Sequence, residues 1–347
     1  MRPGLLYAAT ETGVFVSFDD GSGWESLQLN MPVVSVRDIA VHAGDLAIAT
    51  HGRAFFILDD IEPLRELARD ASPRVRLFAP RTAYRTREGN DEAEASPPET
   101  PGGENAPNGA ILDYYVPEGT SGPVTIAIAG PHGEAIRHYS TDEAPKVVDP
   151  KDVPYPPYWI ATRWVPPSAP GMHRFVWDYH IGDSDGPLAS PGSYTIRLTA
   201  AGRTLTAGLV LRRDPRVHAS DADLVAQMLL AQHIERVRNA VASAVTEAAR
   251  LRRAYPPAAS RIDAIAGAPA AGAFGSPGAL ISPDVTSLSY DAHLLGDLED
   301  SVESADERPT SNERSAWAAL EPRVSRTLAV WDALRRSLSA RPATNRS

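Results

Sequence analysis

Apolar and polar residues alternate with a period of two along much of the first seventy residues. Val14, Val16 and Phe18 lie on one side of this alternation and Phe15 and Ser17 on the other, which is the spacing of a strand with one buried face. Residues that favour turns separate successive runs. The pattern predicts six short strands, over residues 5–10, 14–18, 24–27, 36–42, 46–50 and 55–58.

A second β-rich region is predicted within residues 109–214. Ala201 and Gly202 fit a two-residue turn between its last two strands. Several short antiparallel strands in one region favour a β-sandwich, with Trp177 and Tyr194 in its core. The predicted strands cover residues 110–116, 124–129, 135–139, 172–179, 194–200 and 204–212.

Beyond residue 214 the period becomes that of a helix. An apolar stripe that includes Leu224, Ile234 and Leu251 follows a capping box at Ser220 and ends before Pro256. Further helices are predicted around residues 261–266, over 285–304 and from 309 onward. Antiparallel packing of these stripes predicts a small helical bundle in residues 215–347.

Residues 71–108 are predicted to be a linker, because 88–108 contain almost no apolar side chain. Such a segment buries too little apolar surface to offset its ordering entropy, so we expect a mobile acidic loop. Asp183 and Asp185 have the opening spacing of a calcium loop, but no later acidic residue completes it. The aromatic segment 155–159 favours packing on a sheet over binding a sugar. We therefore expect no metal site and no cofactor.

Part of the first region recurs after forty residues. A period near forty that is made of short strands is typical of a β-propeller, in which each repeat forms one blade. The aligned pairs are Ala9-Thr10 with Ala49-Thr50, Phe15 with Phe55, and Asp19-Asp20 with Asp59-Asp60.

Residues 17–24 fit the pattern Ser-x-Asp-x-Gly-x-x-Trp, with Ser17, Asp19, Gly21 and Trp24 at the defined positions. This octet resembles the Asp-box of bacterial neuraminidase repeat (BNR) β-propellers, a family that includes sialidases and sortilin-type propellers. The resemblance implies that these four residues have a structural role, and that residues 1–70 are terminal propeller blades. The second copy lacks the box, as expected of a last blade that leads into a linker.

The order of the regions is similar to the C-terminal part of large exported bacterial BNR-repeat proteins that are often labelled glycosyl hydrolases. Residues 109–214 resemble the immunoglobulin-like sandwich of flagellar hook-capping proteins. We therefore expect a multidomain, mainly β then α chain with partial propeller blades, a sandwich and a C-terminal helical bundle. The resemblance implies a parent protein exported to the periplasm or beyond, with missing upstream blades as partners of this chain.

Composition excludes several kinds of site. The formal net charge of −10 argues against a general nucleic-acid or anionic-membrane surface. The absence of cysteine excludes disulfides, thiolate metal sites and a cysteine nucleophile. No apolar run reaches the length of a membrane span, and a strand follows Met1 so closely that we expect no signal peptide in this chain.

If residues 1–70 are blades, their polar turns divide between two rims. The rim that propeller ligands usually approach receives Glu11, Arg37, Asp38, His51 and Arg53, which are the candidate ligand-facing residues. Sialidase chemistry requires an arginine cluster, a tyrosine nucleophile with a glutamate partner, and an acid. Two blades do not supply this set, so no catalytic residue is predicted.

Three functional hypotheses follow from the sequence. The chain is a binding or scaffolding region that serves protein or glycan recognition, or the non-catalytic end of a sialidase-like glycosidase, or a self-contained enzyme. The third requires converging titratable groups that the sequence does not offer. A carboxylate pair, or a tyrosine–glutamate site with an arginine cluster, in upstream blades would favour the glycosidase.

Overall fold

The computed structural model describes residues 4–70, 72–87, 106–143, 165–182, 186–267 and 287–339. The chain divides into two compact units. We call the first the β unit, which comprises Met1–Tyr179 and Gly192–Asp214, and the second the helical unit, which comprises His180–Pro191 and Pro215–Ser347. The predicted order of β structure followed by helices is confirmed.

The first part of the β unit contains two three-stranded antiparallel sheets, with the strand orders β1-β2-β3 and β4-β5-β6. Their shared core includes Val14, Val16, Leu46 and Ile48, each at most 5% exposed. The short helix α1 (Glu62–Leu67) follows these sheets. The strands are β1 (Leu6–Thr10), β2 (Gly13–Ser17), β3 (Glu25–Ser26), β4 (Val36–His42), β5 (Asp45–Thr50) and β6 (Phe55–Leu58).

The repeat is visible in the hydrogen bonds of the two hairpins. The Thr10 hydroxyl donates to the Gly13 carbonyl, and the Thr50 hydroxyl donates to the Ala54 carbonyl, each at 2.9 Å. At the other end of the hairpins, the Gly4 carbonyl accepts from Asp20 N and the Gly44 carbonyl from Ile61 N. Both glycines have positive φ, +86° and +92°. The hairpins β1-β2 and β5-β6 are therefore structural equivalents.

One detail of the predicted alignment is wrong by one residue. Ala8 pairs with Phe15, whereas its equivalent Ile48 pairs with Phe56. Phe15 therefore corresponds to Phe56, and Asp19 corresponds to Asp60. The cause is the β5-β6 loop, which is one residue longer than the β1-β2 loop and shifts every residue after it.

The second part of the β unit contains a five-stranded sheet, β11-β10-β13-β14-β8, and a three-stranded sheet, β12-β9-β7. Trp177 on β12 and Tyr194 on β13 are buried, as predicted, and their rings meet edge to face at 5.1 Å. The strands are β7 (Arg76–Leu77), β8 (Ala83–Arg85), β9 (Ala110–Val116), β10 (Thr125–Ala129), β11 (Ala135–Ser140), β12 (Gly171–Trp177), β13 (Gly192–Ala200) and β14 (Arg203–Arg213).

The helical unit contains α2 (Asp221–Ala254), α3 (Ala259–Ala266), α4 (Leu288–Val302) and α5 (Ser311–Ser339). The predicted capping box is present, because the Ser220 hydroxyl accepts from Asp223 N while the Asp223 carboxylate accepts from Ser220 N. The helices share one core, which includes Ile234, Leu295, Val324 and Trp331. A short 3-10 helix, Pro256–Ala258, ends α2 at the predicted prolines.

Some sequence predictions fall outside the described residues. These are most of the acidic run 88–108, the aromatic segment 155–159 and the aspartates at 183 and 185.

Candidate functional site: a polar hairpin end and an apolar sheet face

The structure brings part of the predicted ligand-facing group together at one end of the two hairpins. Arg37 Nη1 lies 3.0 Å from Glu11 Oε1, which joins the beginning of β4 to the β1-β2 loop. In the β5-β6 loop, His51 N donates to the Ser35 carbonyl at 2.8 Å. Backbone contacts therefore hold this loop beside the beginning of β4.

The other members of the group are held by local hydrogen bonds. The Asp38 carboxylate accepts from Ile39 N at 2.9 Å, and Arg53 N donates to the Thr50 hydroxyl at 3.2 Å. All five side chains of the group are exposed. This hairpin end can offer charges and hydrogen bonds to a polar ligand.

Residues of the octet 17–24 form a closed hydrogen-bonded turn at the opposite end of the first hairpin. The buried Ser17 hydroxyl donates to Asp19 Oδ1 at 2.9 Å and accepts from Gly21 N at 2.8 Å. Asp19 Oδ1 also accepts from Gly23 N at 2.8 Å. This backbone hydrogen bond, followed by that of the Ser17 hydroxyl, lowers the pKa of Asp19. The carboxylate is therefore held ionised by the turn that it organises.

Trp24, the last defined position of the octet, is partly exposed. The side chain is 44% exposed, and one ring edge approaches Gly21. Gly21 has a φ of +91°, a conformation that glycine adopts without the strain imposed by a Cβ. The turn thus brings the indole against backbone, and the rest of the ring remains available for contact.

An exposed apolar face lies on β6. Phe55 is 76% exposed and Ile57 is 55% exposed, while the intervening Phe56 points toward the core. Strand pairing places Ala49 opposite Phe55 and Ala47 opposite Ile57, so small apolar side chains extend the same face across β5. Contiguous exposed apolar side chains, unlike isolated ones, favour an interaction surface.

A buried charge cluster was missed by sequence reasoning. Arg174 Nε and Nη2 each lie 2.9 Å from an Asp113 carboxylate oxygen, and Arg174 Nη2 donates to the Asp60 carbonyl at 3.3 Å. Burial raises the pKa of Asp59 and Asp60. Burial alone would lower the pKa of Arg174, but hydrogen bonding to Asp113 and the nearby carboxylates raise it.

This cluster fastens the end of the second hairpin to the β9-β12 sheet. Arg81 adds a second link, because it pairs with Asp45 and donates to the Ala43 carbonyl. The available signal was the opposite charge of Asp113 and Arg174 on two predicted strands. In the structure these two residues are direct cross-strand partners.

The described ranges contain neither a metal-ligand cluster nor a membrane-spanning helix. Within those ranges, no three His, Asp or Glu residues are grouped so as to hold a metal ion. None of the helices there combines the length and apolarity needed to cross a bilayer. Comparison with protein-family models, curated proteins and solved structures finds no match to this chain.

Proposed function

We propose that residues 4–70 are two repeat units of a BNR/Asp-box β-propeller. In this proposal the chain is the C-terminal binding or scaffolding region of an exported propeller protein that recognises protein or glycan. The immediate partners of the two units are further blades of the same repeat. The second part of the β unit is then an immunoglobulin-like sandwich that supports the last blade.

The equivalence of the two hairpins supports a repeat protein. Corresponding hydrogen bonds recur at Thr10 and Thr50 and at Gly4 and Gly44. Units that recur in this way bury their faces on neighbours, and two of them do not close a ring. The Asp-box turn adds a local geometry in which Ser17 and Asp19 satisfy backbone amides.

The observation that carries the proposal is the apolar face formed by Phe55 and Ile57. The sheet β4-β5-β6 has one face in the core shared with β1-β2-β3, and its other face carries these two exposed side chains. A sheet that is apolar on both faces is suited to a stack in which each repeat lies between two others. The uncovered face therefore fits a further sheet of the same kind.

A supporting role for the second part of the β unit rests on Arg174. Its guanidinium contacts both Asp113 of β9 and the Asp60 carbonyl that follows β6. A bidentate arginine–carboxylate pair fixes orientation as well as position. The last repeat is thereby held at a defined angle, as a scaffold for further blades requires.

The proposal is tested by removing the apolar side chains from the exposed face in the whole chain. We expect the wild-type chain to bind a hydrophobic dye and to self-associate with rising concentration in sedimentation velocity, since a second copy can cover the face when no other blade is present. The double variant Phe55→Ser/Ile57→Thr is expected to lose most of the dye signal and to sediment as a monomer.

The matched control is Val210→Thr, which changes an exposed β-branched residue on β14 and is expected to behave like the wild type. Circular dichroism establishes that each variant is folded. A wild-type chain that remains monomeric, with dye binding equal to that of the double variant, would contradict the proposal.

A further inference from the structure

The two equivalent hairpins differ in what lies beside their first strand. β5 lies between β4 and β6, whereas its equivalent β1 pairs only with β2 and ends its sheet. Within the described residues, β1 therefore lacks the second neighbour that β5 has. An edge strand presents unpaired backbone amides and carbonyls, which an added strand can satisfy.

The repeat defines how an added strand would lie. β4 runs antiparallel to β5, with Ile39 opposite Ile48 and Val41 opposite Leu46. Ile48 corresponds to Ala8, and Leu46 corresponds to Leu6, because both hairpins share their register at the first strand. A strand with the sequence pattern of β4 would thus place its Ile39 equivalent opposite Ala8.

The surface of β1 agrees with an incomplete sheet. Leu6 is 39% exposed, and Ala9 is exposed as well. The equivalent Leu46 is fully buried in the core that the two sheets share, whereas Leu6 lies outside that core. An added strand on β1 would cover apolar surface and also pair backbone groups.

We propose that the free edge of β1 binds an antiparallel strand from another Asp-box repeat, in the register that β4 uses with β5. This inference deepens the proposed function and shares its repeat relation, but it concerns the edge of the first sheet and not the apolar face of the second. The partner is recognised by its backbone and by apolar side chains at alternate positions.

The experiment uses the absence of cysteine from the chain. The whole protein with Ala8→Cys is mixed with a peptide of residues 35–43 that carries Ile39→Cys, activated as a mixed disulfide with 2-thiopyridine. Attack of the protein thiolate on the peptide sulfur forms the new disulfide and releases 2-thiopyridone, which is followed by absorbance. We expect capture at least about tenfold faster than with a peptide of scrambled sequence, because bound peptide raises the local concentration of the reacting group.

The matched control is Ala9→Cys, whose side chain points to the opposite face of the strand. Ala9 is more exposed than Ala8, so faster reaction at residue 8 cannot result from accessibility. Leu6→Cys with a Val41→Cys peptide tests the same register at a second position. Equal rates at residues 8 and 9, or with the scrambled peptide, would overturn the inference.

This readout is independent of Phe55 and Ile57. If the peptide is not captured while the Phe55→Ser/Ile57→Thr variant still abolishes self-association, the edge inference fails and the proposed function stands. If peptide capture is selective but the exposed face has no effect, the edge inference stands and the apolar face is not the docking surface.

Discussion

At the scale of single residues, Ser17 shows how a short motif fixes a turn. Its hydroxyl is buried, donates to Asp19 and accepts from Gly21 N. These contacts involve residues no more than four positions apart, so they lie within the octet for which the sequence predicted a structural role. The exposure of Trp24 depends on what covers the hairpin from outside and was not predictable from the octet.

Replacing Ser17 by alanine should destabilise the first hairpin. The change leaves the Gly21 amide without its acceptor and Asp19 without a donor, at a cost of about 1–2 kcal/mol. Hydrogen exchange measured by NMR should show faster exchange at Gly21, and urea unfolding should show the loss of stability. Ser22→Ala, at an exposed position of the same turn, is the control. Unchanged exchange at Gly21 would show that the hydroxyl does not hold the turn.

The Arg174–Asp113 pair provides a second prediction. Arg174→Leu leaves the Asp113 carboxylate buried without its guanidinium partner, and we expect a loss of about 3–5 kcal/mol in urea unfolding of the β unit. The double variant Arg174→Leu/Asp113→Leu should be more stable than Arg174→Leu alone. Arg37→Leu, which breaks the exposed pair with Glu11, should cost less than about 1 kcal/mol. Similar losses for Arg174→Leu and Arg37→Leu would contradict this account.

At the scale of elements, strands with clear boundaries in the sequence were predicted closely. β4, β6 and β9 begin and end at the predicted residues, because each is a short run rich in apolar residues that is bounded by turns. β8 was missed within the predicted linker. It is three residues long and pairs in parallel with the end of β14, a long-range contact that no local pattern records.

Glu299 on α4 makes the stability of the helical unit dependent on pH. Its side chain is only 4% exposed and lies 3.0 Å from Arg238 Nε. Burial raises the pKa of Glu299 to about 7; Arg238 opposes this shift, while Glu303, Glu235 and Asp300 add to it. The folded-state pKa thus exceeds that of the unfolded chain. The contribution of Glu299 is fully present below the unfolded value and is lost as pH rises through about 7.

We therefore expect the free energy of unfolding of the helical unit to fall between about pH 5 and about pH 8, with a share on the order of 2 kcal/mol from Glu299. Glu299→Gln should flatten this dependence, and the exposed Glu321→Gln should leave it intact. Urea titrations followed by helical circular dichroism at both pH values test this. A wild-type free energy of unfolding that rises between pH 5 and pH 8, with the rise removed by Glu299→Gln, would contradict the predicted direction.

At the scale of the whole molecule, the sequence predicted β structure followed by helices but not the full membership of the two units. Residue 214 was predicted as the end of the second β region, and Asp214 does end the β unit. The segment His180–Pro191, however, belongs to the helical unit. There Leu188 N donates to Glu303 at 2.9 Å, across a sequence separation that periodicity does not encode.

The candidate site was predictable only where chemistry is local. Glu11, His51 and Arg53 were predicted as ligand-facing from their turns, and Arg37 and Asp38 from the entry to a strand. The structure joins Glu11 to Arg37 and holds the His51 backbone beside the beginning of β4. The ligand-facing role of these residues stays a prediction. The exposed face of Phe55 and Ile57 could not be distinguished from a buried face by alternation alone, since both faces of β6 are apolar. Which face is covered depends on the packing of another sheet.

The extra residue in the β5-β6 loop shows where this scaffold tolerates change. A threonine hydroxyl closes the base of the loop in both hairpins, from Thr10 to the Gly13 carbonyl and from Thr50 to the Ala54 carbonyl. The chain between the two bonded residues differs in length. A change in loop length between these bonded residues therefore leaves the pairing of the two hairpin strands unchanged. Libraries of randomised sequence inserted between Thr50 and Ala54 would thus be a practical route to engineered recognition on a cysteine-free framework.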